Sequence, residues 1–431
     1  MVFTIAVAIA AAGSAAEGLT ADGWTVQHVG RSNSDYTHFA LTGNQRGDAV
    51  LAWATLGDIR VAVARQGRSF GRPVIVPGSR DGSDPRVAMN ARGDAVLLWS
   101  YFDHTYVAPP ETRDSDCCYP LRVTILDRRG HFRRVQTLTR KGTDAWVGGY
   151  ALDGTGRMGI MWCNGDEWGC TTSVFFGRFS GRGGRLGRRT VVARNAGGLA
   201  LAYVQGRPRA LLAGPRGRYT ALFETTRAHG RWGPRTLVAQ GLPAYFWTLT
   251  AVANASGDEA VVWQPDYNAY GEEPLYAGIR EAGGRLSIKR LTQHPRGGTP
   301  AIAIGPTGWA AVAWPGQAGL RLSVGSTYHR FPTAPYLAAS RPDGGSVGGI
   351  ELAVDRSGRV AVGWEGRRDR RPAILGVIRT LDGHETHLGR LASGFDMHIP
   401  DLGAATFDGH GRAIFAWQHG LRLDIARTVA R

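Results

Sequence analysis

Two hydrophobic rhythms take turns along this chain. The first is a short, almost continuously apolar run, rich in Ala and Val, that closes on Trp. The second is a stretch in which apolar and polar residues alternate one by one, as in Ile59–Val76 and Leu121–Leu138. The pair returns from near one end of the sequence to near the other. Seven copies share one skeleton: an apolar run, usually Asn or Asp, two residues, Gly, then an apolar run ending on Trp. The glycines are Gly47, Gly93, Gly156, Gly257, Gly308, Gly358 and Gly411. Each stands six residues before its tryptophan, at Trp53, Trp99, Trp162, Trp263, Trp314, Trp364 and Trp417.

The skeleton predicts a β-hairpin. Asn or Asp opens a type I turn, where its side chain can accept a backbone N–H, and Gly three residues on takes the left-handed conformation. Runs such as Ala95–Leu98 and Ala260–Val262 read as strands buried on both faces. The alternating stretches read as half-buried outer hairpins, and two hairpins make a four-stranded blade. Periods near fifty residues point to a β-propeller. The glycine spacings are 46, 63, 101, 51, 50 and 53 residues, and the gap of 101 hides one further blade. Leu199–Gly214 with Arg218–Ala239 fills it, using Gln205-Gly206-Arg207-Pro208 as the first turn. The fold expected is a single all-β propeller of eight four-stranded blades, with seven as the alternative. Gly23–Gly30 is a strand without a partner before it, and Leu421–Arg431 one without a partner after it. Their pairing would close the ring and remove the sheet edge. The seven tryptophans are expected between blades.

The domain reading is 1–22 as a signal peptide or apolar tail and 23–431 as the propeller. Val2–Ala12 has the length of a secretory apolar core and small residues follow at Ser14-Ala15-Ala16, although no basic residue precedes it. No transmembrane helix is expected, because no other apolar run approaches the length that spans a bilayer. The location expected is extracellular or periplasmic. The net charge of +16 comes almost wholly from arginine, with Lys141 and Lys289 the only lysines. Such a chain favours anionic surroundings. Nucleic acid is not expected as a partner, because the arginines are scattered through turns and outer strands and form no stripe interleaved with aromatics.

Candidate chemistry lies in the long, mutually unlike loops after each tryptophan, on the face opposite the hairpin turns. There Tyr101, Asp103, Asp166, Glu167, Trp168, Asp266, Tyr267, Tyr270, Glu272 and Arg367 combine aromatic faces with carboxylates and a guanidinium, as a sugar site does. Glycosidase chemistry needs two carboxylates at a set separation, and no short motif here selects a pair. No catalytic residue is assigned. Walker, Rossmann, zincin and nucleophile-elbow motifs are missing, so neither a cofactor nor a metal is expected. Cys117 and Cys118 fall in the loop of blade two, and Cys163 and Cys170 in that of blade three. Two crossed disulfides between those loops are expected, with Cys163–Cys170 beside a vicinal pair as the alternative.

Asp355-Arg356-Ser357-Gly358 with Trp364, and Asp153-Gly154-Thr155-Gly156 with Trp162, resemble the Asp box of sialidase-like and related repeat propellers of secreted bacterial proteins. That box reads Ser-x-Asp-x-Gly-x-x-Trp. Here the Asp-to-Gly gap is one residue longer, and the unit falls in the inner hairpin instead of the outer one. The resemblance covers 23–431 in architecture. Sialidase activity would imply convergent arginines, for which Arg321, Arg367 and Arg368 are available. The function expected is an exported binding module for a glycan or an anionic envelope polymer, working as a monomer. The alternatives are a sialidase-like glycoside hydrolase and a structural propeller with a protein partner.

Overall fold

The computed structural model describes residues 18–19, 24–32, 38–102, 119–139, 145–153, 155, 157–164, 173–179, 187–216, 219–242, 249–263, 274–292, 299–316, 319–332, 336–340, 348–368, 371–393 and 401–428. The strands form eight antiparallel sheets, each the blade of one propeller. Blade one runs from Phe39 to Ile75, blade two from Gly82 to Thr137 and blade three from Ala145 to Arg194. Blade four covers Gly197–Leu242, blade five Leu249–Thr292, blade six Ala301–Ser340 and blade seven Gly348–Ser393.

Blade eight closes the ring. It is ordered Gly18–Leu19, Trp24–Arg31, Arg422–Thr428, Ala413–His419, Asp401–Phe407, outermost to innermost. Trp24 stands opposite Thr428 and Arg31 opposite Arg422. The closure expected from the two unpartnered terminal strands is therefore the one observed. Gln27 ties this strand to blade one: its Nε2 donates to the Phe70 carbonyl at 2.7 Å, and its Oε1 accepts the Phe70 N–H at 2.8 Å.

Why these residues form this ring is visible in the core. Eight apolar clusters each join two adjacent blades. Each of the seven repeat tryptophans is buried and packs against the preceding blade: Trp53 meets Ile414 and Ile425 of blade eight, and Trp99 meets Ile59 and Val61 of blade one. Alternate side chains of a strand point to opposite faces, so the second strand of a blade serves two interfaces at once. Leu97 and Trp99 face blade one, while Val96 and Leu98 face blade three. Small Ala at the flanking positions lets neighbouring sheets approach.

Blade four supplies no repeat tryptophan. Phe176 fills its boundary with blade three, meeting Trp232 edge-on at 5.2 Å. Its first turn is the two-residue Gln205-Gly206, both at positive φ (48° and 74°), which suits the twist of a tight hairpin. Val191 and Val192 accordingly lie in the outer strand of blade three, Thr190–Arg194.

Blades four and five are also joined by a buried ionic cluster. Arg280 Nε donates to Glu259 at 2.6 Å, Arg280 also reaches Glu224, and Arg209 donates to the other oxygen of Glu224 at 3.0 Å. Two guanidiniums thus face two carboxylates. Burial pushes the Glu259 carboxyl up, against the pull of Arg280.

Candidate functional site

The turns between first and second strands ring one mouth of the central channel, and the sequence writes them in two forms. In six of them the side-chain oxygen of the opening residue accepts two backbone N–H groups, two and four residues on. Asn44 Oδ1 accepts from Arg46 and Asp48 at 2.9 and 3.0 Å, and Asp408 Oδ1 from His410 and Arg412 at 2.9 and 3.0 Å. Asn90, Asp153, Asn254 and Asp355 do the same.

The second side-chain atom fixes what stands four residues on. An Asn presents N–H groups, so its partner is a carboxylate: Asp48, Asp94 or Asp258. An Asp presents an oxygen, so its partner is a guanidinium: Arg157, Arg359 or Arg412, at 2.6–2.8 Å. Both forms also reach the next blade, Asn44 and Asn254 through amide N–H groups that donate to the Asn90 and Gly305 carbonyls at 3.1 and 3.0 Å. The carboxylates reach sideways to the outer turn of their own blade, accepting the N–H of Gln66, Arg128 and Ala282. Two of the guanidiniums reach the next blade, Arg359 to the Gly411 carbonyl at 2.8 Å and Arg412 to the Gly67 carbonyl at 3.0 Å.

Burial opposes ionisation of Asp153, but hydrogen bonds from Thr155 and Arg157 outweigh it and hold the carboxyl below the usual range. The same arrangement appears in the outer turn of blade two. There Asp127, despite desolvation, is held low by the His131 and Arg129 N–H groups and by Arg133.

A cavity of about 580 Å³ opens at this mouth between the turns of blades one, six, seven and eight. Gln45, Arg356, Ser357, Arg359, Asp408 and His410 are among its lining residues. Asp355 and Asp408 are buried and bonded to their own turns, whereas Gln45, Arg356 and His410 are exposed, as are Arg46 and Arg92 on the adjoining tips. The mouth therefore offers guanidinium, imidazole and amide groups outward.

Blade six departs from both forms. Gly305 opens its turn and Trp309 stands where the other six have Asp or Arg. The backbone turn persists, closed by Gly305 N–H to Trp309 O at 2.7 Å. The indole, half-buried, stacks on His329 at 6.1 Å and helps line a second cavity of about 210 Å³ between blades six and seven. Sequence reasoning did not single out Trp309. The signal was present, as an aromatic at the one turn position otherwise reserved for charge.

The loop face gives less. Tyr101 ends the strand Ala95–Tyr101, two residues beyond Trp99, so alternation puts its ring on the same buried face. The Arg122 guanidinium covers that ring at 3.5 Å from its centroid and donates to the Gly78 carbonyl. Arg367 pairs with Pro372 in the hairpin of blade seven, and Arg321 pairs with Trp314 in that of blade six. The remaining candidates, Asp103, Asp166, Glu167, Trp168, Asp266, Tyr267, Tyr270 and Glu272, lie outside the described residues.

The disulfide expectation requires correction. Cys163 is not in a loop: it belongs to the strand Met158–Asn164, opposite Trp146 and Val174, because that strand continues past Trp162. It is buried. Cys117, Cys118 and Cys170 lie outside the described residues, and among the described residues no two cysteines stand at bonding distance. The crossed loop-to-loop staple is accordingly withdrawn.

Among the described residues no group of three His, Cys, Asp or Glu is placed to hold a metal ion, and no helix is long and apolar enough to cross a membrane. No protein-family model matches the chain, and no curated protein matches it in sequence. Its fold is similar to that of the Dos1 propeller, at 7% identity over 94% of this chain and 96% of that one, with a TM-score of 0.54. It is also similar to the polysaccharide lyase Uly1, at 10% identity over 87% and 94% of the chains, with a TM-score of 0.47. A third likeness, to the NanB sialidase from Streptococcus pneumoniae, has 10% identity over 67% and 66% of the chains and a TM-score of 0.41. At these identities the likeness is one of fold alone, and with the eight-sheet topology it identifies the chain as a β-propeller.

Proposed function

We propose that this propeller is an exported, non-catalytic binding module for an acidic carbohydrate or another anionic polymer of the cell envelope. One observation carries the reading: at the channel mouth the turn carboxylates are consumed by their own turns, while the guanidiniums of Arg46, Arg92 and Arg356 are exposed. Asp355 Oδ1 accepts from Ser357 N, Ser357 Oγ and Arg359 N, and its Oδ2 from Arg359 Nε. A carboxylate so engaged is a poor general acid or nucleophile, because protonating it or moving it dismantles the turn. Arg46, Arg92, Arg356 and His410 remain to meet a ligand, and the net charge of +16 draws anions toward them.

Export belongs to the same proposal. Cleavage after Ala16 would leave Gly18–Leu19 in place as the outermost strand of blade eight. The loop candidates Asp166, Trp168 and Tyr267 are retained as a sequence-based second surface. The test is binding to immobilised polyuronate and to neutral dextran over a range of salt, beside a panel of chromogenic glycosides. The proposal expects polyuronate binding that weakens as salt screens it, and loss of that binding in Arg46→Ala/Arg92→Ala/Arg356→Ala. Turnover of any glycoside would establish a hydrolase instead. Silence in both assays would leave the protein-partner reading.

A further inference from the structure

We propose that the cleft between blades six and seven, lined by Trp309, is a subsite for a single sugar ring carrying a carboxylate, a uronate residue. The inference rests on the anionic-carbohydrate reading but concerns a site separate from the channel mouth. Three features of the cleft carry it.

The first is the departure from the turn code. In six blades the residue four after the turn opening completes an internal charge or amide pair. Blade six gives up that pair, along with the opening Asn or Asp, and places an indole there. The neighbouring turn makes room: a Cβ on Gly358 would stand 2.9 Å from Trp309 Cγ and 2.8 Å from Leu381 Cδ1. Gly358 is already required by its φ of +82°, and its bare edge lets the indole lie across the blade boundary.

The second is the chemistry of the walls. Trp309, Val324 and Val360 supply apolar surface, Arg330 and Arg379 also line the cleft, and the Thr380 hydroxyl donates to Asp382. Glu385 holds Arg379 in place, while Arg330 is exposed. An apolar surface beside the exposed Arg330 guanidinium matches a ring with an apolar face and an anionic edge. An indole offers that face, and guanidinium–carboxylate contacts are among the stronger hydrogen bonds. Beside the cleft, Tyr328 leaves 80% of its surface to solvent, unusual for an aromatic side chain, and His329 extends the Trp309 stack outward.

The third is size. A volume of about 210 Å³ lies below the range of pockets that enclose drug-sized ligands, so the cleft takes one ring of a longer chain. Tyr328 and His329 then lie where the next ring of the polymer would pass.

The test is saturation-transfer NMR and calorimetry with methyl β-glucuronide and methyl β-glucoside on the full-length protein, its Arg330→Ala variant and its Trp309→Phe and Trp309→Ala variants. Arg330 is exposed, so its truncation is expected to leave the fold intact and that variant reads the site without a folding change. The expected result is glucuronide binding that falls about tenfold in Arg330→Ala, persists in Trp309→Phe and disappears in Trp309→Ala, with the glucoside about tenfold weaker than the glucuronide. Equal binding of the two sugars, or glucuronide binding unchanged in both Arg330→Ala and Trp309→Ala, overturns the subsite. So does an absence of glucuronide binding in the unmodified protein. If polyuronate still binds and the channel-mouth variant alone abolishes it, the subsite fails while the wider function stands.

Discussion

Replacing Trp24 with Ala tests the closure of the ring at its seam. Trp24 begins the strand that enters blade eight from the other end of the chain, and it is 1% exposed. Its indole meets Phe415 at 5.8 Å and packs with Ala426, Trp417 and Leu391. Truncating a buried Trp costs about 3–5 kcal/mol, part lost burial and part residual cavity. Unfolding entropy near 2.1 cal/mol/K per residue, over a chain of 431 residues unfolding as one unit, converts this to a fall in Tm of about 3–6 °C. Gln27→Ala should add to it, since Gln27 makes both bonds that tie the seam to Phe70. The assay is differential scanning calorimetry, with limited proteolysis near residues 24–31 as a local readout. An unchanged Tm with unchanged protease resistance would refute the reasoning, for it would mean that the terminal strand is an accessory and the ring is held elsewhere.

Three further outcomes follow from the same geometry. Because the folded Asp153 carboxyl titrates below its ordinary value of about 3.9, its contribution to stability is present above that pH and is lost as pH falls through the folded value; the Tm gap between the unmodified protein and Asp153→Asn should therefore be full near neutrality and close in acid, and a gap constant with pH would count against it. Glu224→Ala leaves Arg209 and Arg280 sharing Glu259 alone, so it should destabilise by about 3–5 kcal/mol in denaturant melts, with Arg209→Met recovering part of the loss. Trp263→Ala should unfold at a markedly lower temperature because that ring is buried against blade four, whereas Trp168→Ala should leave Tm unchanged and weaken glycan binding.

The architecture was legible because turn chemistry is local. A Gly three residues after Asn or Asp signals a left-handed position, and Gly47, Gly93, Gly257, Gly358 and Gly411 all adopt it, with φ between 71° and 88°; Gly308, in the turn that Gly305 opens, does the same at 81°. Blade four was harder to read because Gln205-Gly206 makes a shorter turn with no Asx residue, and only the doubled spacing betrayed it. The seam could be inferred because Gly23–Gly30 reads as a strand without a partner before it and Leu421–Arg431 as one without a partner after it.

The sites were less legible, for reasons of strand length and of side-chain direction. Ala95–Tyr101 and Met158–Asn164 both run past their tryptophans, which carries Tyr101 into the core and Cys163 into a sheet. Spacing alone does not say where a strand stops. Turns that look repetitive were set aside as structural, yet the channel-mouth cavity and the Trp309 cleft both open among them. The pairing of Asn with Asp and of Asp with Arg across four residues was written in the sequence throughout. It acquires meaning only once the two side chains are seen to bond, and only then does Trp309 stand out.

The central claim is that this propeller binds an anionic glycan without transforming it. The most direct measurement is one calorimetric titration of the full-length protein with a defined oligouronate, followed by chromatography of the recovered sugar. The account predicts saturable binding that weakens with added salt and an oligosaccharide recovered intact. A shortened or unsaturated product would contradict it, and so would an absence of heat together with equal retention of acidic and neutral glycans.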